Sequence, residues 1–312
     1  MTNLAVKKAE AQKALASIFV PNCRTDRVCA AFDELIERKR IGAAGDHGSV
    51  LIVGPSHSGK STSIKEAISR HTVPGNATAS IMHVTVPPSV NQKSLLRAIF
   101  DEAERRGLFR PDRVAGTQWE LQARAYRLLE HNQIEALVLD ECHHIKYGTK
   151  QDAGESVGEM IKTFLINGPC PVILAGVGDN AKKPYLHNQQ LMNRSLAFVE
   201  LEPLDPTCKS DRDFLKDFFS TYFGEMKKRA IADNIGEFGG REFVQALYSA
   251  SEGVVGVAIR IIQRAVALMI EDERRLLTHL DFVRAHEGLA LTRELQGDNA
   301  FTGLLRPVQE QA

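Results

Sequence analysis

An α/β fold, with a five-stranded parallel sheet flanked by helices and a smaller all-helical domain after it, follows from three observations. Between residues 49 and 204, short aliphatic runs alternate with longer segments of helical spacing, as strands covered on both faces by helices require. The first run leads directly into a glycine-bounded loop, from Gly54 to Ser61. A proline-bearing joint, Pro203-Leu204-Asp205-Pro206, ends the alternation, and only helical spacing follows it.

Taken in order, residues 1–48 read as an N-terminal helical segment. Thr25 is the expected N-cap, and Val28, Phe32, Leu35 and Ile36 recur on one helical face before the glycine-rich break at 41–48. The predicted strands are 50–53, 81–86, 136–139, 172–175 and 197–201, all within a nucleotide-binding type of domain at 49–204. Between them, Asn91 is placed to cap a helix carrying Leu95, Leu96, Ile99 and Phe100. Thr117 and Glu120 have the T-x-x-E spacing of a capping box before the apolar positions of 121–129. A helical domain is expected over 205–290, from repeats such as Phe214/Leu215/Phe218/Phe219/Tyr222 and Phe243/Val244/Leu247/Tyr248. Residues 291–312 hold few apolar positions and are expected to form a flexible tail, in which Phe301-Thr302-Gly303-Leu304-Leu305 is either a short docking peptide or plain disorder.

Composition bounds the function. The 312 residues carry 39 Lys and Arg against 39 Asp and Glu, and 43% are apolar, enough to bury a real core. No apolar run approaches the roughly 20 residues that span a bilayer, so no membrane partner is expected. The N-terminus interleaves Lys and Glu with apolar residues, unlike a signal peptide. Five cysteines, Cys23, Cys29, Cys142, Cys170 and Cys208, form no CxxC pair; that argues against a disulfide framework or zinc site and for a reducing cytosol. A balanced charge is also unlike the usual basic nucleic-acid binder.

Gly54-Pro55-Ser56-His57-Ser58-Gly59-Lys60-Ser61, followed by Thr62, fits G-x4-G-K-[ST] between a strand and a helix. Such a loop turns its backbone N–H groups around a β-phosphate at a helix N-terminus. Lys60 then reaches the β- and γ-phosphates and the Ser61 hydroxyl ligates Mg²⁺, so ATP with Mg²⁺ is the expected pair. The strand at 136–139 ends in Asp140 and Glu141. In P-loop enzymes the first acid holds Mg²⁺ and the second polarises the attacking water, which favours hydrolysis over phosphoryl transfer between nucleotides. Asp140-Glu141-Cys142-His143 also spells the DExH string of helicases. Those enzymes need a second strand series in the same chain, and only helical spacing follows here. Cys142, His143 and His144 have no further ligand at a metal-type spacing, so a structural role is expected of them.

These motifs, together with Ile173-Leu174-Ala175-Gly176, Gln190-Leu191-Met192-Asn193-Arg194, and the leading stretch Ala14-Leu15-Ala16-Ser17-Ile18-Phe19-Val20 with Phe32-Asp33-Glu34-Leu35, resemble AAA+ ATPases of the TniB/TnsC type. These are transposition regulators related to MuB, and the likeness covers about residues 14–290. It implies a P-loop AAA+ module with a small C-terminal α-helical lid. It further implies a homo-oligomer, a ring or helical filament, that encircles double-stranded DNA in the bacterial cytosol. Such an assembly delivers DNA to a DDE-type transposase and its TniQ-like targeting partner.

The resemblance assigns residues too. Arg194 falls where the family keeps its arginine finger. Sensor 1 passes to Asp179 or Asn180, with Asn180 preferred, because Gly176-Val177 stands where Gly-Thr is common. Val257 occupies the usual sensor-2 arginine position, and either the sensor is missing or Arg260 substitutes. DNA contacts are expected from Arg113 and Thr117, with Tyr147 and Lys150 as a second set. Neutral charge is compatible with this, since assembly multiplies a few phosphate contacts per subunit along one duplex. An initiator-type loader with the same core usually adds a winged helix, for which the residues after Ala290 leave no room. The competing reading is a P-loop protein that acts as a nucleotide-gated scaffold or switch without DNA.

Overall fold

The computed structural model describes residues 3–42, 48–72, 80–108, 115–145, 153–186, 189–293 and 299–305. Its strands are β1 (Ser49–Val53), β2 (Ile81–Thr85), β3 (Ala136–Asp140), β4 (Val172–Gly176) and β5 (Ser195–Glu200). They form one parallel sheet in the order β2-β3-β4-β1-β5. Each strand starts and ends within two residues of its expected position.

Two separate cores explain why the strands read as unbroken aliphatic runs. Val50, Ile52, Val138, Ile173 and Ala175 point to one face, where Val28, Phe32, Leu35 and Ile36 of α2 (Cys23–Arg40) and Ile64 and Ala67 of α3 (Lys60–Arg70) cover them. Leu51, Val53, Leu137, Leu139 and Leu174 point to the other. That face is covered by α4 (Gln92–Arg105), α5 (Gln118–His131) and α6 (Ala153–Asn167), and two short helices, α7 (Gly178–Leu186) and α8 (Gln189–Asn193), come between β4 and β5. Alternate residues thus go to opposite faces and both faces are dry.

The expected caps of α4 and α5 form. Asn91 Oδ1 accepts the Ser94 N–H at 2.9 Å while Ser94 Oγ accepts the Asn91 N–H at 2.8 Å. The Thr117–Glu120 pair closes the same way, with the Thr117 N–H donating to Glu120 Oε2 at 2.7 Å. Thr25 is a correction. The helix α2 begins two residues earlier, at Cys23, and Thr25 is buried with its hydroxyl 3.1 Å from that of Ser63 on α3. It ties two helices together behind the loop rather than capping one.

The chain divides into two units, residues 23–202 and residues 1–22 joined with 203–312. The expected N-terminal segment 1–48 is therefore split. Residues of α2 belong with the sheet, whereas α1 (Asn3–Ala16) packs on α11 (Val255–Glu271) in the helical unit. That unit also contains α9 (Lys209–Lys228), α10 (Arg241–Ser251) and α12 (His279–Arg293). Its core is aromatic, with Phe218, Phe219, Tyr222 and Phe223 on α9 and Phe243 and Phe282 from α10 and α12.

The expected tail needs correcting as well. Although 294–298 and 306–312 lie outside the described residues, Phe301 is fully buried, its ring 5.6 Å from Phe282 and 5.9 Å from Phe243. Asn299 pins the return by donating to Val283 O at 3.0 Å. The apolar stretch around it, with Ala300 and Leu304, is too short for a periodicity that would reveal its burial. Phe301→Ala is expected to destabilise the helical unit by about 3–5 kcal/mol, the usual range for emptying a buried phenylalanine site. Urea denaturation of the full chain measures this, and an unchanged midpoint would show that the ring does not contribute to the core.

Among the described residues no single helix is long and apolar enough to cross a membrane. The one bent pair that passes by composition, α10 with α11, turns by 109° and has its apolar positions buried in the core.

Candidate active site

The loop from Gly54 to Gly59 joins β1 to α3 at the carboxyl end of the sheet, the end where open α/β sheets place ligands. Two glycines make its path. A methyl group on Gly54 would sit 2.6 Å from Leu201 O and 2.6 Å from Ser58 Oγ, so only hydrogen fits there. Gly59 has φ +95°, a conformation that side chains disfavour. Gly59 is also the N-cap of α3 and offers no side chain to the first-turn N–H groups, which face the loop as donors for an anion.

Lys60 Nζ donates to Gly54 O at 2.9 Å and Pro55 O at 2.8 Å, so the ammonium arches over the loop. Burial lowers its pKa, against the opposing pull of the Glu141 and Asp140 carboxylates. The Ser58 hydroxyl is buried and makes no hydrogen bond within the protein. A phosphate oxygen would satisfy it, and with the lysine and the uncapped helix end it makes the donor set that a polyphosphate needs. The loop residues Gly54, Pro55, Ser56, His57, Ser58, Gly59, Lys60, Ser61 and Thr62 thus fit the expected ligand.

Across from the loop, β3 ends in Asp140, whose Oδ2 accepts from Ser61 Oγ at 3.4 Å. These are two hard oxygen donors close enough to share one cation, which suits Mg²⁺. His83, on the neighbouring strand β2, places Nε2 3.3 Å from the same Oδ2. The other oxygen, Oδ1, accepts the Glu141 N–H at 2.8 Å. Burial alone would raise the Asp140 pKa, but His83, the Glu141 N–H and Ser61 together hold it below the usual carboxylate value. The carboxyl is therefore ionised and oriented by three donors before any metal arrives.

Glu141 has φ +61° and ψ +33°, a left-handed backbone that is uncommon for a residue with a side chain and recurs at functional sites. This conformation turns the chain out of β3 and into the 3-10 turn Cys142–His144. His143 Nδ1 lies 3.3 Å from Glu141 Oε2 and accepts the Val177 N–H at 3.4 Å. It accepts only when that nitrogen is unprotonated. Burial lowers the His143 pKa, so the neutral ring, with Nδ1 as acceptor, is the form at neutral pH.

The remaining expected residues are spread out. Asn180 is exposed in the first turn of α7 (Gly178–Leu186), one residue after Asp179, which is also exposed. Arg194 precedes β5, and its carbonyl accepts the Ser49 N–H at 3.0 Å. It is thus at the amino end of the strands, about 13 Å along β1 from the loop at ~3.3 Å per residue. Val257 is buried in the helical unit and Arg260 is exposed on α11. Thr117 commits its hydroxyl to the capping box, donating to Glu120 Oε2 at 3.0 Å. Arg113, Tyr147 and Lys150 lie outside the described residues.

Sequence reasoning missed His83 and the link from His143 to Val177. His83 had no signal, since it stands alone in an apolar strand 57 residues from its partner.

A model of the family described as Bacterial TniB protein matches residues 12–202. No curated protein matches the sequence. Among solved structures, the ORC2 protein of Aeropyrum pernix in its ADPNP and ADP complexes aligns with a TM-score of 0.65 and 14% identity, over 88% of this chain and 71% of that one. CDC6P from Pyrobaculum aerophilum aligns at 0.63 and 13%, over 88% and 70%. The Aeropyrum pernix ORC1 protein, solved in complex with DNA, aligns at 0.60 and 13%, over 89% and 69%. At such identities the likeness is one of fold, the P-loop AAA+ fold.

Proposed function

Because the chain belongs to the bacterial TniB family, we propose that it is an AAA+ ATPase that assembles on double-stranded DNA and delivers that DNA to a transposase. One observation carries the hydrolytic half. The P-loop hydroxyl of Ser61 and the Asp140 carboxylate meet at 3.4 Å, with Glu141 following directly on a strained backbone. In this reading Lys60 binds the β- and γ-phosphates of ATP, and Ser61 and Asp140 hold Mg²⁺, which neutralises charge on the transferring group. Glu141 accepts a proton from the attacking water, and Asn180 is the sensor facing the γ-phosphate.

Arg194 completes the site of a neighbouring subunit. Its place at the amino ends of the strands, away from its own loop, supports that division of labour. Hydrolysis then depends on assembly and controls disassembly. Double-stranded DNA as partner is supported by the family and by the DNA complex of the ORC1 protein. Arg113, Thr117 and Lys150 are the proposed contacts, Thr117 on condition that Glu120 releases its hydroxyl. A DDE-type transposase and a TniQ-like protein are the proposed further partners, in the bacterial cytosol.

The test is size-exclusion chromatography and negative-stain imaging with duplex DNA, with and without a non-hydrolysable ATP analogue. Rings or filaments should form only with both. Monomers under every condition would overturn the proposal, and nucleotide-driven assembly indifferent to DNA would leave a nucleotide-gated scaffold. Lys60→Ala removes charge-assisted hydrogen bonds worth about 1.5–3 kcal/mol, so ATP should bind about ten- to a hundredfold more weakly and assembly should fail at ATP levels that saturate the parent. Titration of a fluorescent ATP analogue reads the affinity.

A further inference from the structure

The turn after β3 gathers more chemistry than hydrolysis uses. Glu141 is the N-cap of the 3-10 turn Cys142–His144, and the His144 N–H donates to Glu141 O at 3.0 Å. The His143 ring lies 4.4 Å from that of His144, and its Nδ1 is 3.3 Å from Glu141 Oε2. One ligand atom from each of the three lies within 4.8 Å of the other two, and all three residues are partly exposed. Cys142 points the other way. It is fully buried with Sγ 3.9 Å from Ala181 O, and burial raises its pKa, so its thiol stays outside the cluster.

We propose that Glu141, His143 and His144 form a second cation site, selective for a borderline divalent metal such as Zn²⁺ over Mg²⁺, and that filling it halts hydrolysis. Two imidazoles and one carboxylate are the donors that Zn²⁺ takes, with water in the fourth position, whereas Mg²⁺ demands oxygen ligands. The adjacent pair, Ser61 and Asp140, is all oxygen. Two neighbouring sites therefore sort two classes of cation. To ligate, His143 Nδ1 would give up the 3.4 Å hydrogen bond it accepts from the Val177 N–H. Once the Glu141 carboxylate is on a metal, its lone pair no longer takes a proton from water. The binding half of the proposal is independent of the hydrolytic reading, and the inhibitory half rests on Glu141 as the base.

The experiment titrates Zn²⁺ into the full chain with Mg²⁺ in large excess, against a chromogenic chelator, with Co²⁺ absorption as a second probe of coordination. One equivalent should bind. His144→Ala and Glu141→Gln should each weaken it by at least about tenfold, since losing even the outer partner of a ligand weakens metal binding about 10–100-fold. Zn²⁺ should also suppress ATP turnover reversibly, while His144→Ala keeps its zinc-free rate and escapes inhibition. No bound equivalent, or equal affinity in both variants, would overturn the site; equal affinity would point to thiols such as Cys23 and Cys208, which are exposed. Weakened binding with inhibition intact in His144→Ala would overturn the inhibitory half. If the parent shows no turnover even without zinc, the hydrolytic reading fails, and the affinities still decide the metal site.

Discussion

Glu141→Gln should bind ATP as the parent does and turn it over about 10²–10⁴-fold more slowly, the usual contribution of a positioned general base. The substitution changes one atom of a side chain and leaves its frame intact. The left-handed backbone at residue 141 is set by the turn, and the hydrogen bond from its N–H to Asp140 Oδ1 is a backbone donation that glutamine keeps. Asp140, Ser61 and Lys60 are untouched, so phosphate and Mg²⁺ binding should survive. What disappears is the group that accepts a proton from water. Since hydrolysis is the proposed route to disassembly, the variant should accumulate as long-lived assemblies on DNA in ATP. Single-turnover kinetics and sedimentation in ATP measure the two effects. Parental turnover would remove Glu141 from the reaction, and slow turnover without persistent assemblies would uncouple hydrolysis from release.

Arg194→Ala should lower kcat by about 10³–10⁵, the contribution of an arginine supplied to a transferring phosphoryl group. The strand register makes the source of that arginine specific. Ser49, at the start of β1, pairs with Ser195, and the nucleotide loop follows Val53 at the other end. An arginine at the amino ends is far from the loop of its own chain, whereas in the proposed assembly a neighbour stacked head to tail would present it there. Mixing two inactive variants tests this directly. Glu141→Gln subunits bind ATP and carry Arg194, whereas Arg194→Ala subunits carry an intact loop and base. Combined, they should recover a fraction of parental turnover that rises and falls with the mixing ratio. Parental activity in Arg194→Ala alone, or silence at every ratio, would show that Arg194 does not act across an interface.

Much of this site was legible because its chemistry is local. The loop, Ser61, Asp140 and Glu141 each announce themselves within a few residues, since a phosphate cradle and a strand-end carboxylate are local backbone constructions. The same holds for Asn91 and Thr117, whose caps close over three residues. Long-range partnership left no such trace. Nothing near His83 signals that it would meet Asp140 from the next strand, and the hydroxyl of Thr25 looked like a cap until Ser63 was found opposite it. The two ends of the chain misled for a related reason. Residues of α1 are apolar toward α11, more than 200 residues later, and Phe301 toward Phe243 and Phe282, 58 and 19 residues earlier, and periodicity within a segment says which face is buried but not against what.

The opposed positions of the loop and Arg194 also give the proposed assembly a direction. A row of subunits joined through this contact is heterologous, and it has two unlike ends unless its rotation closes it into a ring. At one end the last nucleotide sits beside no arginine; at the other the last arginine sits beside no nucleotide. In such an assembly interior subunits would hydrolyse and one terminal subunit would keep its ATP. An open filament would thus be protected at one tip and erode from within, so its lifetime would depend on how often new subunits arrive at the protected tip. A closed ring has no tip and no such clock.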